Sequence, residues 1–270
     1  MNAIVTLPLV LAIVLVELAT GGAFLVWFLD RRGQAPGGFL KLTAGVNAVC
    51  GAAAVGLIPT IIPKDLATVG LDAAPLGSLS QVLVVLLVLL VAQFALTFVP
   101  LRDVRSIAGA VTVLVGVATL VVAAISRPTA SPYDIFALVA LPLGALALGG
   151  SDAAMLLGHW YLVTPKLSPA PLQTAALLVV LAVVLQSALV ASSLARGELV
   201  GATDQIGLTV AIGIRIGVGL LMTLGVALGG WWTARMNTQS STGLLYVGLG
   251  TALAGEISAR VLFFLTGAPV

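Results

Sequence analysis

Residues 4–29 read IVTLPLVLAIVLVELATGGAFLVWFL, an apolar run that a single acidic residue, Glu17, interrupts near its middle. A helix rising 1.5 Å per residue needs about twenty apolar residues to cross roughly 30 Å of hydrocarbon, and this run is long enough. It is also far longer than a barrel strand. In lipid every backbone donor and acceptor needs a partner within the protein, so a helix is the reading. A lone carboxylate in that setting costs several kcal/mol unless it is paired or wetted, which makes Glu17 a candidate functional residue. No basic region precedes the run and no small-residue cleavage site follows it. It closes on Trp27 and then Asp30-Arg31-Arg32, as a retained span does and a cleaved signal peptide does not.

Working outward, seven more runs of this kind follow, at about 39–62, 79–101, 106–126, 135–162, 171–195, 206–232 and 242–266. Short polar or Pro/Gly-bearing connections separate them, among them Arg31–Gly38, Pro63–Ser80 and Thr164–Pro171. The longest of these, around Pro63–Ser80, has room for an interfacial helix at most. Of the 270 residues 60% are hydrophobic and 8% charged, and the mean hydropathy is +1.19. A soluble domain carries roughly a quarter charged residues. The expected fold is an all-α integral membrane protein, a bundle of eight transmembrane helices forming a single polytopic domain over 1–270. Division into two four-helix halves, about 1–130 and 131–270, is hinted at because spans one and five both pass from a Gly-Gly pair to aromatics and a basic, proline-bearing loop.

The same composition excludes several functions. The net charge of +2 comes from a few Lys and Arg in short loops, with no basic patch for nucleic acid. One cysteine, Cys50, gives neither an internal disulfide nor a thiolate-ligated cluster, and one histidine, His159, cannot supply both axial ligands of a bis-histidine haem. No haem or metal site is expected in this chain. Loop charge sets the orientation. Arg31, Arg32, Lys41, Arg102, Arg105, Lys166 and Arg235 lie on one side, against Lys64, Arg127 and Arg196 on the side of the termini. That bias places both termini outside the cytoplasm.

Ionisable residues inside the other spans complete the candidates. Arg215 is about mid-span in Gly213-Ile214-Arg215-Ile216-Gly217, a small-residue face around one guanidinium. Glu256 and Arg260 are four apart and share a face of span eight, while Asp152 and His159 are seven apart and share a face of span five. Asn47, Gln93, Gln186 and Ser258 are neutral companions. Each has a plainer reading. Glu256 and Arg260 suit an ion pair that packs span eight, Arg215 suits a counter-charge for Glu17 or Glu256, and Glu17 suits a purely structural pair. Asp152, beside Gly149-Gly150-Ser151, suits a hydrogen bond to a broken turn. His159, next to Trp160 and Tyr161, suits an interfacial aromatic belt with Trp27, Trp231, Trp232 and Tyr246, and Cys50 suits packing.

The stretch Leu253-Ala254-Gly255-Glu256-Ile257-Ser258-Ala259-Arg260-Val261-Leu262-Phe263-Phe264, followed by Thr266-Gly267, resembles the last helix of the membrane anchor subunits of dimethyl sulfoxide reductase, where a Gly-Glu and an Arg precede a Phe-Tyr-like pair. Weaker echoes occur in the same order: Gly21-Gly22, Leu156-Leu157-Gly158 before a basic loop, and Arg215. Eight spans with both termini outside match that family and, more distantly, the polysulfide reductase anchors. The resemblance implies a haem-free, quinone-reactive anchor, with menaquinone or ubiquinone as substrate, for iron–sulfur and molybdopterin subunits in the inner membrane of a prokaryote. One departure stands out: where family members carry a quinol histidine, after the second helix, this chain reads Gly56-Leu57-Ile58-Pro59-Thr60.

Residue chemistry agrees with that expectation. Quinol oxidation needs a proton acceptor near each oxygen, an apolar slot for the ring and a proton route to one side. Buried carboxylates held by arginines have that chemistry, which makes Glu17, Arg215, Glu256, Arg260, Asp152 and His159 the candidate quinone and proton residues. Alone the chain is not an enzyme on this reading, since it encodes no electron carrier. Two other classes fit the same residues: a small-solute or proton transporter, with a helix break at Pro142 or Gly149-Gly150, and a structural scaffold subunit. The orientation has a direct test: with the termini outside, a reporter active only outside the cytoplasm is active when fused after Val270, and activity of a cytoplasm-only reporter there reverses the assignment.

Overall fold

The computed structural model describes residues 2–61, 63–68, 70–71, 73–128, 133–164, 167–200, 205–236 and 238–270, and no strand occurs among them. Lys166 of the loop-charge comparison lies outside the described residues, as does the side chain of Lys64. The helices are α1 (Asn2–Arg31), α2 (Gly37–Leu57, continued by a 3-10 turn at Ile58–Thr60), α3 (Pro63–Ala67), α4 (Ala73–Leu96), α5 (Arg102–Ile125), α6 (Ile135–Val163) and α7 (Ala170–Ala195). The seventh span comes in three continuous pieces, α8 (Ile206–Gly213), a π-helical segment (Ile214–Met222) and α9 (Thr223–Thr233), and α10 (Thr238–Thr266) completes the chain. Among the described residues eight helices are long and apolar enough to cross a membrane.

Three local features differ from expectation. The third span begins at Ala73 and ends at Leu96, about a turn and a half earlier than hydropathy suggests. Pro75 is tolerated in a first turn. At the other end the Thr97 hydroxyl bonds the Phe94 carbonyl at 2.7 Å, and Pro100 disfavours helix in the residue before it. The Pro63–Ser80 connection yields a helix of five residues before joining α4. Finally, α6 runs unbroken through Pro142 and Gly149-Gly150; the departure from α geometry is in span seven instead.

α1 is the most deeply buried span and α2 and α4 the least. It packs against α2, α5, α6 and α10, and α6 and α10 also pack on each other, so these three helices make the interior. Small residues allow it. A Cβ on Gly21 would run into the Ala145 carbonyl of α6, and one on Gly149 would sit 2.5 Å from the Gly22 nitrogen of α1. Gly219 and Gly255 press the π-helical segment onto α10 in the same way. The outer faces carry exposed Val84, Val85 and Val88 of α4 and Leu181, Val184 and Leu185 of α7, while Glu17, Arg215, Glu256 and Arg260 are buried. Apolar outside and charged inside is the distribution a bilayer selects.

The two ends of the bundle are fixed by different contacts. At one, Gly33 at φ +66° turns the chain after α1. Arg105 there grips Asp30 through two bonds of 2.7 and 2.9 Å, and Arg102 reaches the Arg31 carbonyl at 3.0 Å. Basic groups at a helix C-terminus also complement its dipole. At the other, the Ser193 hydroxyl bonds the Pro269 carbonyl at 2.9 Å, docking the C-terminal segment on α7. Burial there lowers the pKa of the Arg127 guanidinium, against the opposing pull of Asp134 at 3.7 Å.

The α1–α6 crossing yields a prediction. Gly149→Val should destabilise the bundle by about 1–3 kcal/mol, the usual cost of overpacking, read as a lower midpoint of thermal unfolding in lipid nanodiscs. Gly243→Ala, at a position with nothing within 4 Å of the new methyl, should leave the midpoint unchanged.

Candidate functional site

Four of the six candidate residues meet in one place. Glu17 enters from the middle of α1, Glu256 and Arg260 from adjacent turns of α10, and Arg215 from the π-helical segment. A π turn bonds i to i+5 and so widens the helix and re-aims the side chains on it, and such turns recur at functional positions. The Thr223 hydroxyl bonds the Val218 carbonyl five residues back, at 3.1 Å. Gly219, one turn beyond Arg215, lies on Gly255, which brings the guanidinium beside Glu256.

The charges alternate. Arg215 Nη1 donates to Glu256 Oε1 at 2.9 Å, and Arg260 Nη2 donates to Glu256 Oε2 at 2.6 Å. Gln186 Nε2 of α7 adds a bond of 2.7 Å to Glu256 Oε1. On the far side of Arg260, its Nε lies 3.0 Å from Glu17 Oε1. That pair is close, yet neither Glu17 oxygen has a hydrogen-bond partner among the described residues, so the N–H is not aimed at the carboxylate and the contact is coulombic. Glu17 and Arg260 are fully buried, and Glu256 and Arg215 are each 1% exposed. Removing such ions from water costs several kcal/mol apiece, which the alternation of opposite charges and the hydrogen bonds to Glu256 offset. The set carries two acids and two bases and sums to zero.

Gly144 of α6 forms the wall. A Cβ there would stand 2.6 Å from Glu256 Oε2, 2.7 Å from Glu17 Oε1 and 2.8 Å from Arg260 Nη2. Beside this wall, an apolar slot of about 250 Å³ opens between α1, α5 and α6, lined by Thr20, Gly21, Phe24, Val113, Pro142 and Ala145 among others. Thr20 and Gly21 follow Glu17 by one turn, and Pro142 and Ala145 flank Gly144. The buried Thr20 hydroxyl has no hydrogen-bond partner among the described residues.

Asp152 and His159 are not part of the cluster. Asp152 is buried two turns and more beyond Gly144, about 12 Å along α6. His159 is at the exposed end of that helix, its Nδ1 2.9 Å from the Tyr246 hydroxyl. Two further residues take part, Gln186, already named as a neutral companion, and Gly144, which is not among the candidates. Gln186 is a direct partner of Glu256 and not a bystander, and Gly144 has no mark in sequence that separates it from the chain's other glycines. No group of three or more His, Cys, Asp or Glu side chains placed to hold a metal ion occurs among the described residues.

No protein-family model, curated protein or solved structure matches this chain.

Arg260 bridges both carboxylates, which ranks the variants. Arg260→Met strands Glu17, leaves Glu256 to Arg215 and Gln186, and should cost about 3–5 kcal/mol of stability, the range for an orphaned buried charge. Glu17→Gln should cost less, because that carboxylate accepts no hydrogen bond. Adding Glu17→Gln to Arg260→Met should recover part of the loss. Unfolding of the four proteins in nanodiscs measures the coupling directly, and strictly additive effects would deny it.

Proposed function

We propose that the chain is the quinone-reactive, haem-free anchor subunit of a multisubunit respiratory oxidoreductase in a prokaryotic inner membrane, oriented with both termini outside the cytoplasm. Its partner is an iron–sulfur subunit and, where the complex carries one, a molybdopterin subunit. The observation that carries this reading is the apolar slot between α1, α5 and α6, one turn from a buried carboxylate that accepts no hydrogen bond. A flat lipid-soluble ring suits such a slot, and the Thr20 hydroxyl is within it to bond a ring oxygen.

On this reading a quinol, either menaquinol or ubiquinol, loses two electrons and two protons to become quinone. The electrons leave to a cluster in the partner subunit. Glu17 takes one proton from the ring oxygen facing it, since its lone pairs are free, whereas Glu256 already accepts bonds from Gln186, Arg215 and Arg260; the second proton leaves the other ring oxygen to water as hydronium. Before that transfer Arg260 holds the Glu17 carboxylate in place and limits its repulsion from Glu256. Glu256 and Arg215 are positioning residues, and Asp152 and His159 take no part in the exchange at the ring.

A second reading draws on the alternation itself: a network whose charges sum to zero also suits a structural scaffold subunit. Glu17→Gln separates the two. It preserves volume and removes the proton acceptor, so quinol-dependent turnover of the whole complex should fall by about 10²-fold, the scale of one general base. Turnover with an artificial donor that bypasses the membrane should persist in the same membranes. Retention of both activities makes Glu17 structural, and loss of both makes the change one of assembly.

A further inference from the structure

Away from the charge cluster, α2 and α6 hold a second set of buried polar groups. Thr43 and Asn47 are 0% exposed and Asp152 is 6% exposed. The Thr43 hydroxyl, both amide atoms of Asn47 and Oδ2 of Asp152 have no hydrogen-bond partner among the described residues. Each such atom left unpaired costs about 1–3 kcal/mol. Four together need a partner that the described residues do not supply, and water or a bound ion is the usual one.

Register brings these groups to one level. Thr43 and Asn47 are four apart on one face of α2. Asn47 abuts Gly22 of α1, where a Cβ would come 2.9 Å from the Asn47 Cγ, and Gly22 in turn lies on Gly149 of α6. Trp160 packs on Gly38, so α2 and α6 run antiparallel and are fixed at two heights. Asp152 is one turn from Gly149 toward Trp160, which sets it beside the turn of α2 between Asn47 and Thr43.

The charges around it are accounted for. No salt bridge reaches Asp152 among the described residues. From α1 the ionisable groups are Glu17 in the charge cluster, Asp30, which Arg105 of α5 holds together with the neighbouring Arg102, and Arg31, which donates to the Ser106 hydroxyl at 3.3 Å; Asp103 is in the first turn of α5. From α2 they are Cys50, within electrostatic reach of Asp152, and Lys41, which lies over the Phe98 ring. α7 has none between Ala170 and Ala195. α10 brings Glu256, Arg260 and Tyr246, the last bonded to His159, and Tyr161 of α6 bonds the Ser168 carbonyl.

We infer that Thr43, Asn47 and Asp152 form a hydrated proton-binding site in the half of the bundle nearer the α1–α2 and α6–α7 connections. The Asp152 carboxylate takes a proton from hydronium, leaving a carboxylic acid and one water. Asn47 Oδ1 is in register to accept from the new O–H, and Asn47 Nδ2 and the Thr43 hydroxyl hold water against the carboxyl. This goes beyond the quinone reading and stands without it.

Infrared spectroscopy of the purified full-length protein in lipid nanodiscs tests the site. A carboxylic-acid C=O band is expected to grow as pH falls, to shift on transfer to D2O, to be lost in Asp152→Asn and to remain in Glu17→Gln. Asn47→Leu should shift the band without removing it. If Asp152→Asn does not fold, the Asn47→Leu shift decides, and its absence overturns the proposal. It is also overturned by a band that neither titrates nor exchanges, which marks a sealed structural acid. Loss of the band on adding sodium at constant ionic strength overturns it in favour of a cation site.

Discussion

Arg260 stands fully buried between two carboxylates, and the rest of the bundle is arranged around that constraint. Its guanidinium reaches Glu256 on its own helix and Glu17 on α1, so it ties the first span of the chain to the last. Without it Glu17 is an uncompensated charge in a low-dielectric interior and Glu256 keeps only Arg215 as a counter-charge. Arg215 and Gln186 then complete Glu256 from the seventh span and from α7. Four separate helices are held in mutual register by charges and amides, where lipid offers helices little hydrophobic reason to associate.

That register depends on how closely backbones approach. The glycines at 21, 22 and 149 let α1 and α6 cross with almost no side chain between them, and Gly219 with Gly255 does the same for the π-helical segment and α10. Gly144 extends this logic to the site, where the missing methyl is the space the carboxylates and guanidinium occupy. Close packing and charge pairing are one design: without the small residues the ions would not meet, and without the ions the gap at Gly144 would be a void.

Bilayer thickness is a strong ruler, and for that reason the eight spans can be read from hydropathy with ends displaced by only a turn or so at most boundaries. The rarity of charge in the spans likewise identifies Glu17, Arg215, Glu256 and Arg260, since cost alone singles them out. Other features leave no such mark. Pro142 and Gly149-Gly150 suggest a break in α6, yet tertiary packing keeps that helix continuous, and the irregular geometry falls at Ile214–Met222, whose glycines are unremarkable in a membrane segment. Glu17 and Arg260 are far apart in the chain, so their meeting is a fact of packing and not of spacing. Gln186 reads as one polar residue in an apolar helix until Glu256 is placed beside it.

The cluster's zero net charge has an electrical consequence. Two acids and two bases packed together form a compact object that a transmembrane potential barely pulls on, so at rest it costs the same in an energised membrane as in a relaxed one. Adding a proton to Glu17 ends that neutrality. A unit charge carried through the full field is worth about 2.3 kcal/mol per 100 mV, and Glu17 lies near the middle of α1. A proton arriving there from one face therefore traverses roughly half the drop, about 1 kcal/mol per 100 mV. The membrane potential would bias the occupancy of that carboxylate by a few-fold, with opposite sign for the two faces from which the proton enters.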